Sequence, residues 1–144
     1  MRKLFEAALA VAVIAIPASA IAGSLTISND WFRALPANLP SGGYFTLHNG
    51  GTVNATLTGA SSPACGMLML HKSESMNGMA SMMDMPSVPV PADGSVTFAP
   101  GGYHLMCMQP TPAMKPGASI PVTLQFADGS KITSSFAVKD AKGQ

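Results

Sequence analysis

The sequence predicts a small all-β sandwich, on three observations. Turn-forming residues punctuate the chain every eight to twelve positions, and the segments between them alternate apolar and polar residues at period two. Past the first twenty residues, no stretch repeats its apolar residues at helical spacing.

In chain order, Arg2 and Lys3 precede an apolar run, Ala7–Ile16, which Pro17 breaks, and Ala18-Ser19-Ala20 supplies the small residues that a signal peptidase requires. The run is too short to span a bilayer, so an uncleaved anchor is the weaker reading. Residues 1–20 are expected to be a cleaved export signal and residues 21–144 one mature domain, periplasmic and without a membrane span. Strands are predicted at Leu25–Ser28, Gly43–Asn49, Asn54–Thr58, Met67–Lys72, Ser95–Phe98, His104–Met108, Ile120–Phe126 and Lys131–Val138. In the last two, Val122, Leu124 and Phe126, then Ile132, Ser134, Phe136 and Val138, fall on one face. Asn49-Gly50-Gly51, Asp93-Gly94, Pro100-Gly101-Gly102 and Asp128-Gly129 mark turns, because glycine accepts the positive φ that tight connections use. The segment from Glu74 to Pro91 reads as an irregular hairpin or loop.

Composition narrows the function. At 144 residues the chain has room for one domain. Its 47% hydrophobic content excludes an ordinary disordered tail, and a net charge of +1 without clustered Lys or Arg excludes a nucleic-acid binder. No Ser or Cys sits with a partnered base, and the seven acidic residues are scattered, so the sequence does not read as an enzyme.

Methionine carries the strongest signal. Of eleven, seven (67, 69, 76, 79, 82, 83, 85) fall within nineteen residues. Alternation puts Leu68 and Leu70 on one face of their strand and Met67, Met69 and His71 on the other. Downstream, Leu105 and Cys107 face one way while His104, Met106 and Met108 face the other. Between these strands the Met76–Met85 stretch is interspersed with Asn, Gly, Ser and Asp, poor company for a core. A lone methionine is ordinarily a flexible core filler, and a lone histidine such as His48 a surface or packing residue. Clustered thioethers with two imidazoles form instead a soft, neutral donor set, suited to Cu(I) or Ag(I) rather than Zn(II). The expected ion is Cu(I), and a loosely built, exposed set describes a carrier better than a catalyst.

The spacing of these donors resembles a known family, the periplasmic copper chaperones of the PCu(A)C type, with signature His-x10-Met-x21-His-x-Met. His71, Met82, His104 and Met106 fit all three intervals. Trp31-Phe32-Arg33, Gly43-Tyr44-Phe45-Thr46-Leu47 with Asn49, Gly59-Ala60-Ser61-Ser62-Pro63 and Pro100–Met106 are similar to the family too, so the resemblance covers nearly the whole mature chain. It implies a cupredoxin-like Greek-key sandwich that holds one Cu(I) through His71, Met82, His104 and Met106. It also implies delivery of copper toward the copper A centre of cytochrome c oxidase subunit II or related acceptors, alongside Sco-type proteins; the chain itself is expected to be a monomer. The chain departs from the family in three ways. It ends in Val138–Gln144 without a His- and Met-rich tail; Lys72 follows His71, with extra thioethers at Met79, Met83 and Met85 that compete with Met82; and it carries the cysteine pair Cys65 and Cys107.

Cys65 and Cys107 admit three readings: a disulfide favoured by export, a copper thiolate, or two buried free thiols. Two alternatives to a carrier remain at this level. One is a redox or electron-transfer copper protein, disfavoured because no His follows Cys107 to complete a blue-copper loop. The other is an exported Met-rich interaction domain without metal.

Overall fold

The computed structural model describes Ala12, residues 24–76 and residues 78–144. Apart from Ala12, the expected export segment lies outside the described residues. Among the described residues no helix is long and apolar enough to cross a membrane. Ten strands form: β1 (Leu25–Arg33), β2 (Ser41–Asn49), β3 (Ala55–Ser61), β4 (Cys65–Met76), β5 (Met79–Asp84), β6 (Val88–Val90), β7 (Gly94–Phe98), β8 (Tyr103–Pro110), β9 (Ser119–Phe126) and β10 (Lys131–Lys139).

Their ladder runs β5-β4-β8-β2-β1-β10-β9-β3-β6, with β7 added to β2. The β1–β10 pair is parallel, whereas the other pairs are antiparallel. One edge of β2 is divided between two partners: Ser41–Gly43 pairs with β8 and Phe45–Asn49 with β7. Buried residues from both halves of the ladder join one cluster, so the sheet closes around a single core in the cupredoxin-like, all-β manner.

Period-two alternation builds that core. Ile120, Val122, Leu124 and Phe126 of β9 are buried, and so are Phe136 and Val138 of β10. Phe32, Phe45, Phe98 and Phe136 are each almost wholly enclosed. Phe45 stacks on Phe98 at 4.4 Å between ring centroids, and Phe98 stacks in turn on Tyr103 at 5.5 Å. The aromatic column therefore reaches the first residue of β8, beside His104. Gly43 lies where β1, β2 and β8 meet, and a Cβ there would come within 2.6 Å of the Phe32 ring. The turns fall where glycine and aspartate signalled them, with Asp93, Gly101 and Gly129 at φ 55°, 87° and 88°.

All eight expected strands form, several longer than expected. β1 continues past Ser28 to Arg33 through a bulge at Asn29, whose φ of 52° shifts the register against β2. The segment expected as an irregular hairpin or loop contains two ordered strands. β4 extends to Met76 and pairs along its outer half with β5, closing a hairpin, while Val88 and Val90 of β6 are buried against β3. Met, Ala, Ser and Asp carry little strand propensity, and main-chain pairing with β4 rather than side-chain preference sets β5.

Cys65 and Cys107 are joined in a disulfide with Cα atoms 5.4 Å apart, tying β4 to β8 on the core side. Neither sulfur is therefore a thiolate, which closes the copper-thiolate and free-thiol readings.

Candidate metal centre

The β4–β8 pair positions the donors. Its antiparallel register sets His71 directly opposite His104, Met69 opposite Met106, and Met67 opposite Met108. Leu68, Leu70, Leu105 and Cys107, on the reverse face of the same strands, are buried in the core. Alternation thus sorts two strands into an aliphatic inner side and an imidazole–thioether outer side, as the sequence indicates.

The two imidazoles meet edge to face, 5.5 Å between centroids. His104 is only 5% exposed. Its Nδ1–H donates to the Gly102 carbonyl at 3.3 Å, a bond that fixes the tautomer and leaves Nε2 with a free lone pair. The turn that presents this carbonyl is itself braced: Gly102 N donates to Ala99 O, and Gly102 O also accepts from Ser73 N on β4. Burial pushes the His104 pKa below its usual 6.5; the Gly102 bond opposes this and neighbouring His71 adds to it. Among the described residues, His104 Nε2 and both ring nitrogens of His71 are buried without a hydrogen-bond partner. Asp84 Oδ1 of β5 approaches His71 Nε2 to 2.7 Å, but off the direction of a hydrogen bond, so this exposed carboxylate orients the ring electrostatically without satisfying it.

Of the four expected ligands, the structure places His71, His104 and Met106 together on adjacent strands. Met106 lies two residues from His104, roughly 7 Å along the strand, and is the diagonal neighbour of His71. Met82 pairs with Ser73, which places it on the same face as His71 and diagonal to it. Diagonal neighbours stand roughly 7–8 Å apart, within reach of a long thioether. Met82 is 62% exposed, the most open of the four. Its rivals separate by face: Met83 pairs with Lys72 on the opposite side, and Met85, next to Leu70, packs against the core. His48 turns outward to Ser95, with Nδ1 2.8 Å from its hydroxyl, in a surface role.

The sequence reading missed two partners of the site. Asp84 and the Gly102 carbonyl carry no motif, and only the hairpin register and the turn before β8 bring them to the imidazoles. Chemically, the set is soft. No three of His, Cys, Asp and Glu cluster at metal-binding distance among the described residues, so a hard-ion or zinc-type cage is not formed. Two bare imidazole nitrogens beside neutral thioethers fit Cu(I).

A cupredoxin-like β domain with imidazole and thioether donors gathered on one strand face is the class that this fold and site define. More particularly, the chain belongs to the LpqE-like family, described as "Putative lipoprotein LpqE-like", whose profile matches residues 25–138. A relative from Leifsonia xyli subsp. xyli (strain CTCB07), "Putative lipoprotein Lxx21020", is 32% identical over 123 residues, covering 85% of this chain and 74% of that protein. Among solved structures, the copper-bound PCuAC domain of PmoF2 superposes with a TM-score of 0.68 at 23% identity, covering 82% of this chain and 94% of that one. The Cu(I) form of DR1885 from Deinococcus radiodurans superposes at 0.63 with 29% identity, covering 85% and 86%. The resemblance to the PCu(A)C type and the all-β architecture it implies are borne out.

Proposed function

We propose that this protein is an exported copper chaperone that carries Cu(I) on His71, His104, Met106 and Met82 and releases it by ligand exchange. The observation that carries this reading is the pair of facing imidazoles, on which His104 Nε2 and both ring nitrogens of His71 are buried without a hydrogen bond, beside Met106. Burying unsatisfied polar atoms is unfavourable, and a soft ion would satisfy them. Copper here is cargo, so the donors need not fix one geometry: a monovalent d¹⁰ ion accepts two to four of them and leaves when an acceptor supplies others. The likeness to copper-bound PCuAC domains supports the same reading, and the lipoprotein names of its relatives support export.

In finer detail, the protein works as a monomer in the periplasm and passes copper toward the copper A centre on cytochrome c oxidase subunit II, with Sco-type proteins as co-workers. It performs no turnover chemistry. An electron-transfer role is disfavoured because both cysteines are consumed in the disulfide, leaving no thiolate for a blue-copper site. The test is a Cu(I) titration in ascorbate against a competing chromophoric chelator. The reading expects a tight equivalent that H71A/H104A abolishes; no stoichiometric uptake by the wild-type protein would contradict it.

A further inference from the structure

The outer face of β4 and β8 holds more thioethers than the His71–His104 centre uses. Beyond the facing imidazoles, one row along, Met69 stands opposite Met106, and one row further Met67 stands opposite Met108. Consecutive rows are about 7 Å apart at the rise of a strand, and directly opposed residues have Cβ atoms roughly 5 Å apart. Four flexible thioethers thus occupy two adjacent rows of one sheet face.

Packing does not account for the outer row. Met67 is 57% exposed and Met108 36% exposed, so each gives up much of what burial of an apolar side chain contributes. On the inner face of the same two strands the chain places Leu68, Leu70 and Leu105 instead. Between Met67 and His71 of β4 and between His104 and Met108 of β8, methionine is confined to the outer face, where a thioether can ligate and an aliphatic side chain cannot. On its far side the β2 residue opposite Met106 is Gly42, and the Tyr44 ring lies over that glycine and borders the face there.

We infer that Met67, Met108 and Met69 form a second, sulfur-only site for a soft monovalent ion, Cu(I) or Ag(I), contiguous with the imidazole centre through Met106. Three thioethers satisfy a d¹⁰ ion, more weakly than a set containing imidazole, and none needs to lose a proton to bind. Resting on the copper-carrier reading, the site serves as the receiving end of a track. An ion taken up at the exposed row exchanges one thioether at a time, through Met69 and Met106, until His71 and His104 hold it. The ion keeps its charge throughout and no bond within the protein breaks.

The test is a Cu(I) titration of the exported chain in ascorbate, with competing chelators of graded affinity, on three proteins. The wild type is expected to take a tight equivalent and then a weaker one. M67L/M108L, which keeps apolar bulk at two exposed positions, is expected to lose the weaker equivalent and retain the tight one unchanged. H71A/H104A is expected to lose the tight equivalent and keep the weaker. In Ag(I) titrations followed by NMR, the Met67 and Met108 methyl signals should move with the second equivalent. A wild type that saturates at one equivalent, abolished by H71A/H104A, leaves the carrier reading standing and overturns the second site, and so does an M67L/M108L variant that still takes two. A weak equivalent lost in M67L/M108L, in a protein without any tight equivalent, supports the thioether site and overturns the imidazole one.

Discussion

His71 and His104 face each other across β4 and β8 with ring centroids 5.5 Å apart, and only one of their four ring nitrogens is spent on a hydrogen bond within the protein. Satisfied core histidines engage both nitrogens; these two are held in place by backbone register, by the Gly102 carbonyl at His104 and by the nearby Asp84 carboxylate at His71. The consequence is a preformed pair of donors whose position depends on sheet pairing more than on side-chain rotamers, and this dependence makes the site testable by substitution.

Ligands should separate cleanly from bystanders. His104→Ala is expected to weaken Cu(I) binding by more than ~100-fold, since loss of outer partners of metal ligands alone typically costs 10- to 100-fold. Met83→Ala, on the opposite face of the hairpin, should change affinity less than about threefold. Competition titrations of the two variants decide it, and equal losses would move the site into the β5 hairpin.

The Gly102 turn should matter through His104. An insertion of one residue between Gly101 and Gly102 would displace the carbonyl that fixes the His104 tautomer, and a loss of about 10- to 100-fold in Cu(I) affinity is expected with the strands intact. Circular dichroism and the same competition titration read both effects.

Acid should destabilise the metal-free protein through His104. Burial holds its folded pKa below 6.5, so the unfolded chain binds that proton at higher pH than the folded one. Its contribution is complete above about pH 6.5 and is lost as pH falls below that value toward the folded pKa. The apo Tm should therefore drop between pH 7 and pH 5, and His104→Asn should flatten that drop. Parallel declines in both proteins would acquit His104.

The disulfide should stabilise both fold and site. Its sequence separation of 42 residues corresponds to about 4 kcal/mol on a chain-entropy account. C65A/C107A should lose about 2–4 kcal/mol in denaturant unfolding and bind Cu(I) more weakly, because the bond ties together the two strands that align His71 with His104. Phe98→Ala, which interrupts the Phe45–Phe98–Tyr103 column, should cost about 3–5 kcal/mol.

What could be read from the sequence divides along a physical line. Alternation depends only on a residue's immediate neighbours, so the faces of Met67–Lys72 and His104–Met108 were legible, as was the core of β9 and β10. Register depends on which strands meet and where their turns close, and no local pattern encodes it. For that reason the pairing of Met67 with Met108, the approach of Asp84 to His71 and the choice between disulfide and free thiols became visible only in the fold. β5 was hidden differently: its Met-, Ser- and Ala-rich residues favour no strand, and it exists because β4 offers an edge. Spacing singles out His71, Met82, His104 and Met106 as candidates, and the structure places all four on one face, with Met82 the most exposed.

X-ray absorption at the copper K-edge, on protein loaded with one equivalent of Cu(I), tests the central claim most directly. A first shell mixing imidazole nitrogen with thioether sulfur, losing its imidazole scattering in H71A/H104A, is the predicted result. A shell of sulfur alone in the wild-type protein would contradict it.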